Sequence, residues 1–503
     1  MEKTIDSAAA SVRTLGLSWP LLIALLTLLG VLGIVRPDAL LSDADSYWHL
    51  AAGRWIFEHG AVPTTDPFSH SMPGVAWMAQ SWLSEVVLAA MYGAGGWTAL
   101  AVLATICFAL TLAILTRFLL ARMEPVHALL FVALAAGLLM THLSVRPHVF
   151  IWPLFALWIG AQVNAGEAHR SPPWWLLPVM WLWANLHGSF TLGLLLSGGL
   201  ALDAIVAHPA AGRRHAAQRW IAFVALAVLV SMLTPNGWQG LWYTVQVMRQ
   251  GYAQSVISEW QSPDFHQVQG LEIWLLLFLA MACSGGVKLP PVRIVLLLGL
   301  VHLALVSVRS ISTLGLVSPF ILAAPMARQW YSRGPFAPGG DAVLLDRWFR
   351  ALAAPARPAS VAVAGLVAAA LLAMIVPARA LSPAAARTPE AALQAAMAAG
   401  VKGEVLNEYG FGGYLIYQGV KVFIDGRSDL YGDAFMKRYV EAVTLKDGKL
   451  LPSLLDEYRI GWTLFPPEMA AVALLDRMPG WRRVHADKVA VVHMRLSAGA
   501  AAR

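Results

Sequence analysis

The chain has 503 residues, of which 58% are hydrophobic and only 13% charged, with a mean hydropathy of +0.62. Soluble domains carry roughly 25% charged residues, so this composition excludes a wholly water-facing surface and sets much of the chain against lipid, where charge is costly. The net charge of +7 reads accordingly as Lys and Arg in the loops of one membrane face, not as a nucleic-acid footprint.

Apolar runs long enough to span a bilayer, or nearly so, lie near 16–35, 97–116, 126–142, 149–163, 174–186, 189–207, 220–234, 271–284, 292–308, 311–327 and 360–377. They predict an all-α polytopic bundle of about eleven transmembrane helices, the shorter ones tilted or extended by interfacial residues. The first run lacks a small-residue cleavage site and reads as an uncleaved anchor. Cys107 and Cys283 fall inside apolar stretches and read as packing residues.

Basic residues set the orientation. With the N-terminus cytoplasmic, fifteen Lys and Arg fall in cytoplasmic segments before position 378, against five outside: Arg36, Arg54, Arg146, Arg249 and Arg309. The positive-inside rule then predicts a multi-pass protein of the bacterial inner membrane with its C-terminal part in the periplasm. The expected division is a transmembrane domain over 1–378, a basic cytoplasmic linker at 328–359 within it, and a small periplasmic α/β domain over 379–503.

The first external loop, 36–96, is too polar to span. Asp45 to His59 and Trp77 to Tyr92 predict two interfacial helices, with Gly93 to Gly96 breaking the second. A third such helix is expected from Trp238 to Gln250. In the C-terminal part, strands are expected at 403–407, 421–424, 462–465, 482–485 and 490–494.

Chemistry-capable residues gather on the external side. Ser42-Asp43-Ala44-Asp45 sits just past the first span, and Asp45 and His49 share a helix face at i, i+4 spacing. An interfacial carboxylate can act as a base, and a carboxylate pair could hold a divalent metal such as Mg or Mn. The plain alternative is helix capping by Asp43 or Asp45. On the same face the topology puts Arg146-Pro-His148, Asn185-Leu-His187-Gly188, Pro235-Asn236, Glu259-Trp260 and Arg309-Ser310. Arginines beside carboxylates suit an anionic head group, since a guanidinium binds phosphate through paired hydrogen bonds. Singly, each has a structural reading: Arg146 snorkelling, His187-Gly188 ending a helix, Asn236 forming a turn. His302, inside an apolar run, reads as a core histidine. In the C-terminal part, Asp425-Gly426-Arg427-Ser-Asp429 is either a pinned turn or a loop reaching the membrane site from above.

These features together resemble the GT-C glycosyltransferases, a class that includes protein O-mannosyltransferases, aminoarabinose transferases of lipid A and oligosaccharyltransferases. Asp43-Ala-Asp45 with Trp48-His49-Leu50, Pro63-Thr-Thr-Asp66-Pro-Phe-Ser69, Ala184-Asn185-Leu-His187-Gly188 and Phe423-Ile-Asp425-Gly426-Arg427 resemble a bacterial GT-C-like branch in particular. The resemblance implies transfer of a sugar from a polyprenyl phosphate or diphosphate carrier to an external acceptor, which could be glycan, lipid or protein. It implies Asp45 or Asp43 as the catalytic acidic residue and inversion at the anomeric carbon. His49, Arg146, His148, Asn185, His187, Asn236, Glu259, Arg309 and Arg427 are the candidate contacts to donor phosphate or substrate. Protein O-mannosyltransferases commonly show adjacent Asp-Glu at this point, so Asp-Ala-Asp leaves the choice of base, and of any metal as in oligosaccharyltransferases, open. A lipid-linked saccharide flippase is the alternative, and a non-catalytic partner of an envelope polysaccharide machine is a third. A transporter should carry mid-span charges and an inverted repeat, and neither is evident.

Overall fold

The computed structural model describes residues 16–35, 37–284, 287–333, 344–379, 381–384 and 388–496. Each of the eleven apolar runs lies on a helix: α1 (Trp19–Gly33), then, with the first-loop helix α2 (Asp45–His59) between them, α3 (Trp82–Leu120), α4 (Pro125–Met140), α5 (Pro147–Glu167), α6 (Leu176–Leu186), α7 (Phe190–Ala207) and α8 (Arg213–Ser231). After the short α9 (Gln239–Val247) follow α10 (Gly270–Cys283), α11 (Pro291–Val306), α12 (Ile311–Arg333) and α13 (Pro358–Ala378). Among the described residues five stretches are long and apolar enough to cross a membrane: Trp82–Leu120, Pro147–Glu167, Phe190–Ala207, Val308–Tyr331 and Pro358–Ala378. Five more apolar helices are shorter, and α8 opens on Arg213 and Arg214.

Helix boundaries follow local chemistry. The Ser18 side chain accepts from the Leu21 N–H to start α1, and Gly60, in the left-handed region at φ 62, closes α2. The interfacial helix expected from Trp77 begins at Trp82 instead. Residues 64–77 fold back on themselves, with Asp66 N–H donating to Val75 O (2.9 Å) and Trp77 N–H to Thr64 O (3.0 Å). The predicted glycine break falls at Gly95–Gly96, where Gly96 takes φ 60, ψ −151, so α3 is two helical segments joined by a kink.

α3 is the central helix, packing on α1, α2, α4 and α5, while α13 rests mainly on α1. Outward faces carry exposed apolar side chains, among them Leu195, Leu226, Leu298, Leu366 and Met374. Apolar exposure on this scale fits lipid contact. His302 belongs to that surface: it is exposed on α11 rather than buried in a core.

The C-terminal part carries a four-stranded sheet of β1 (Glu404–Asn407), β2 (Ile460–Phe465), β3 (Trp481–Ala486) and β4 (Val491–Arg495), in the order β1-β2-β4-β3. β1 and β2 are parallel and the other pairs antiparallel. The strand expected at 421–424 does not join the sheet. Val422 instead bridges Ser69 of the first loop, and the Asn407 side chain bonds Phe423 N–H and Ile424 O (2.9 and 2.7 Å) where a ladder would have run. Ser71 Oγ donates to Phe423 O (2.6 Å), and His70 Nε2 lies 2.9 Å from Val405 O. The C-terminal core is therefore completed by the first loop: Tyr47, Trp48, Ala52 and Trp77 pack in one cluster with Val405, Phe411, Leu415 and Phe423.

Candidate functional site

Asp43 and Asp45 flank the start of α2. Asp43 Oδ1 accepts the Asp45 N–H at 3.0 Å in a local turn, but the N-cap is Ala44 with no side-chain cap bond, so neither aspartate caps the helix as the plain reading had it. The segment before α5 is tied to this turn, with Val145 N–H donating to Leu40 O (3.2 Å) and Ser46 Oγ–H to Val145 O (2.7 Å). Arg146 is extended there (φ −136, ψ 159), and Pro147, whose fixed φ suits a first helical position, starts α5.

That geometry delivers the Arg146 guanidinium between three carboxylates. Nη2 donates to Asp45 Oδ2 at 2.7 Å and Nη1 to Asp43 Oδ2 at 3.1 Å, and Nη1 also pairs with Glu259. Glu259 is carried on the turn Ser258–Trp260, which Ser307 Oγ (to Glu259 O, 3.0 Å) and Val308 N–H (to Gln261 O, 3.0 Å) tie to the end of α11. The same tie brings Arg309 to the site, its guanidinium 5.1 Å from the Trp260 ring centroid. Among the described residues the Arg309 guanidinium makes no hydrogen bond. One arginine is thus spent on carboxylates, and a second keeps its donors open.

Burial pushes the Asp45 carboxyl up to about 6 against the pull of Arg146, with Asp43 and Glu259 adding to the rise. Glu259, though burial alone would raise it, is brought down to about 2 chiefly by Arg146 and Arg309. His49 and His187 are pushed well below the usual histidine range, first by burial and then by Arg146 and Arg309 respectively. Both are neutral at physiological pH.

The other sequence candidates divide. His148 Nε2 lies 2.7 Å from His142 O beside the arginines. His187 faces Ser189, its Nδ1 2.9 Å from Ser189 Oγ. Asn185 is buried and structural: Oδ1 accepts from Trp82 Nε1 (3.0 Å), and Nδ2 donates to Trp181 O (2.8 Å) and Leu233 O. Asn236 sits in the turn before α9, where its carbonyl accepts from Gln239 N–H. Arg427 is 1% exposed, and its fork is filled by Asp425 (2.8 and 2.7 Å) and Asp66 (2.6 Å), with the Trp77 ring centroid 4.7 Å away. Substrate contact by Asn185 or Arg427 would require breaking these bonds.

Sequence reading missed several members. Gly426 touches Asp45: an added Cβ there would meet Asp45 Oδ1 at 1.8 Å and Trp48 Nε1 at 3.1 Å. Gly413 lies against Ala44, where an added Cβ would be 2.4 Å from its carbonyl oxygen. Glu85, 1% exposed, has its Oε1 3.2 Å from His49 Nδ1. A signal for Glu85 did exist, since it is the one acid in the stretch 82–120. Gly426 gave none beyond the turn reading. A cavity of about 150 Å³ opens beside Asp43, lined by Ser42, Tyr47, Glu408, Phe411 and Tyr414 among others.

The carboxylate triangle does not fit a divalent cation as it stands, because Arg146 fills its centre. The described residues include no group of three or more His, Cys, Asp or Glu suited to a metal ion.

No family model matches this chain, and no curated protein matches it. Among solved structures it is similar to the archaeal oligosaccharyltransferase AglB from Archaeoglobus fulgidus in complex with an inhibitory peptide and a dolichol-phosphate. That match has 10% identity and a TM-score of 0.42, covering 89% of this chain and 69% of that one. The Archaeoglobus fulgidus oligosaccharyltransferase in the apo form matches at 12% identity and a TM-score of 0.45, over 88% and 69%. ArnT from Cupriavidus metallidurans bound to undecaprenyl phosphate matches at 14% identity and a TM-score of 0.42, over 95% and 97%. The structural neighbours of this helical chain are thus an oligosaccharyltransferase and ArnT, at low identity.

Proposed function

We propose that this chain is an integral membrane glycosyltransferase that moves a sugar from a polyprenyl phosphate or diphosphate carrier to an acceptor on the external, periplasmic face. The proposal includes eleven spans, a cytoplasmic N-terminus and a periplasmic C-terminal domain, as the distribution of Lys and Arg favours. The observation that carries it is the convergence of Asp43, Asp45, Arg146, Glu259 and Arg309 from four separate segments onto one point.

Asp45 is the proposed base. Both Asp43 oxygens accept bonds that hold the turn and Arg146, whereas Asp45 has its Oδ1 against Gly426 and Trp48 and a carboxyl pushed towards neutrality. In the proposed step Asp45 takes the proton of an acceptor hydroxyl, and the acceptor oxygen attacks the sugar C1. The C1–O bond to phosphate breaks, and the carrier phosphate leaves with the electron pair. Attack opposite the leaving group inverts the anomeric centre. Arg309, with neutral His148 and His187 near it, is placed to meet the phosphate charge that grows during the step. Arg146, already engaged, is assigned to holding the carboxylates. The cavity lined by Asp43 and Ala44, next to Asp45 in the chain, is the proposed approach for the acceptor.

The test uses purified protein in nanodiscs with a panel of short-chain polyprenyl-phosphate sugars. Release of free polyprenyl phosphate by wild type, and not by the Asp43→Asn/Asp45→Asn double variant, supports the transferase. Equal release by both rejects it.

A further inference from the structure

The cavity of about 150 Å³ beside Asp43 is built by two parts of the chain that are far apart in sequence. Ser42, Asp43 and Tyr47 come from the first loop and its helix, and Glu408, Phe411 and Tyr414 from the C-terminal part. Its size suits one six-membered ring, since an engineered cavity of about 150 Å³ takes a benzene molecule. Aromatic walls with a few fixed polar groups are the usual build of a small-molecule site. Here the Tyr47 and Tyr414 rings meet edge-on at 5.3 Å between centroids, and the Tyr47 hydroxyl lies 3.4 Å from Thr388 Oγ1.

The polar groups on the walls are unequally occupied. Asp43 is spent on Arg146 and on the Asp45 N–H. Glu408 Oε2 accepts the Phe411 N–H at 3.0 Å, which closes the turn Tyr409–Phe411 and fixes the carboxyl. A carboxylate offers about four acceptor positions, so Glu408 keeps capacity for a ligand's hydroxyls. Ser42 Oγ, which bonds no described residue, lines the same space. Burial pushes the Glu408 carboxyl up, against the pull of the Gly410 and Phe411 N–H groups. A second anion in the cavity would add repulsion to that burial cost, so a phosphate or a uronate is disfavoured. A neutral pyranose matches the walls, with C–H faces for the aromatic rings and hydroxyls at its rim for Glu408 and Ser42.

Resting on the transferase reading, we propose that this cavity is a sugar subsite for the acceptor. The acceptor is a neutral saccharide, and one of its pyranose rings sits between the first loop and the C-terminal part with hydroxyls on Glu408 and Ser42. Ala44 lines the cavity and Asp45 follows it, consecutive Cα atoms being about 3.8 Å apart, so the ring is held beside the base. The C-terminal part then recognises the acceptor as well as walling the site.

The experiment follows glycoside binding to the full chain in nanodiscs by saturation-transfer NMR, with a parallel titration of undecaprenyl phosphate. The glycosides are methyl glucoside, mannoside and galactoside, a methyl glucuronide and a methyl glucosaminide. Wild type is expected to bind at least one neutral glycoside about tenfold tighter than the glucuronide, the scale of one interaction with a charged group. Glu408→Gln should remove most of that discrimination by admitting the glucuronide. Ser42→Leu should fill the cavity and weaken every glycoside about tenfold or more. Both variants should hold undecaprenyl phosphate as wild type does, which shows the fold intact; if Ser42→Leu loses the lipid too, Glu408→Gln decides. The proposal is overturned by discrimination that survives Glu408→Gln, by glycoside binding that survives Ser42→Leu, or by glucuronide bound as well as glucoside. Glucosaminide bound best would also overturn it and mark an ammonium site. Undecaprenyl phosphate bound with no glycoside would overturn it and leave the carrier reading standing. Glycosides bound as expected with no undecaprenyl phosphate would keep the sugar subsite and bring down the transferase reading.

Discussion

Gly426 lies against Asp45 so closely that a single added methyl group would sit 1.8 Å from the Asp45 carboxylate oxygen. The C-terminal part thus forms a wall of the candidate site. Gly426→Ala is expected to displace Asp45 or the loop and cost about a hundredfold in turnover, the usual result of misplacing a reacting group by an ångström. Gly448→Ala, where a Cβ meets nothing within 4 Å, should leave turnover unchanged. Equal activity in the two variants would refute the contact's importance.

Asp45→Asn keeps the shape of the side chain and removes the base. Turnover is expected to fall at least about a hundredfold while donor affinity stays near wild type. Normal turnover would move the base assignment to Asp43.

The pH profile follows from the same carboxyl. Asp45 is raised to about 6 by burial, so it is protonated below that pH and unable to accept a proton. kcat/KM should therefore be full above about 6 and decline as pH falls through it. Glu259 raises Asp45 by repulsion, so Glu259→Gln should shift this acid limb to lower pH. A limb that stays in place in Glu259→Gln would count against Asp45 as the titrating group.

Arg309, with its donors open beside Glu259 and Trp260, is expected to bind donor phosphate. Arg309→Ala should weaken donor binding about tenfold or more, as loss of a charge-assisted contact does. Arg309→Lys should restore part of it. A purely kinetic defect with unchanged affinity would argue for another role.

Arg427 and Asp66 join segments 361 residues apart in a pair that is 1% and 0% exposed. Removing one partner leaves a buried charge uncompensated, at a cost of about 3–5 kcal/mol. Arg427→Met is expected to lower the apparent melting temperature and open the first loop and C-terminal part to protease, with the spanning helices intact by circular dichroism. Wild-type protease resistance would mean that the aromatic packing around Tyr47, Trp48 and Phe423 holds the junction unaided.

Much of the helical framework was legible because lipid imposes one requirement at every position of a span. Apolar runs such as 360–377 and 149–163 had to be helices, as an unpaired backbone cannot face hydrocarbon. The expected bounds of α2, Asp45 to His59, match the helix, which Gly60 closes in the left-handed region. Arg146, Glu259 and Arg309 were legible as a group through topology alone, each being polar at a helix end. The strand at 421–424 was misread because its apolar, fully buried run, 422–424, is real but the partner of Val422, Ser69, lies in the first loop. Asn185 read as a candidate substrate contact, and the structure shows its side chain bonded to Trp82, Trp181 and Leu233, because a side chain's hydrogen bonds cannot be counted before its neighbours are known.

The sequence by itself determined the helical, lipid-facing composition, the placement of polar residues at helix ends and the α2 turn with its two aspartates. These are local properties, set by periodicity, capping and transfer cost over a few consecutive residues. The tertiary structure alone decided that Arg146 serves the carboxylates, that Arg309 keeps its donors free and that Gly426 presses on Asp45. Each depends on which distant segments meet, and chain crossing, unlike periodicity, leaves no signature in a window of consecutive residues.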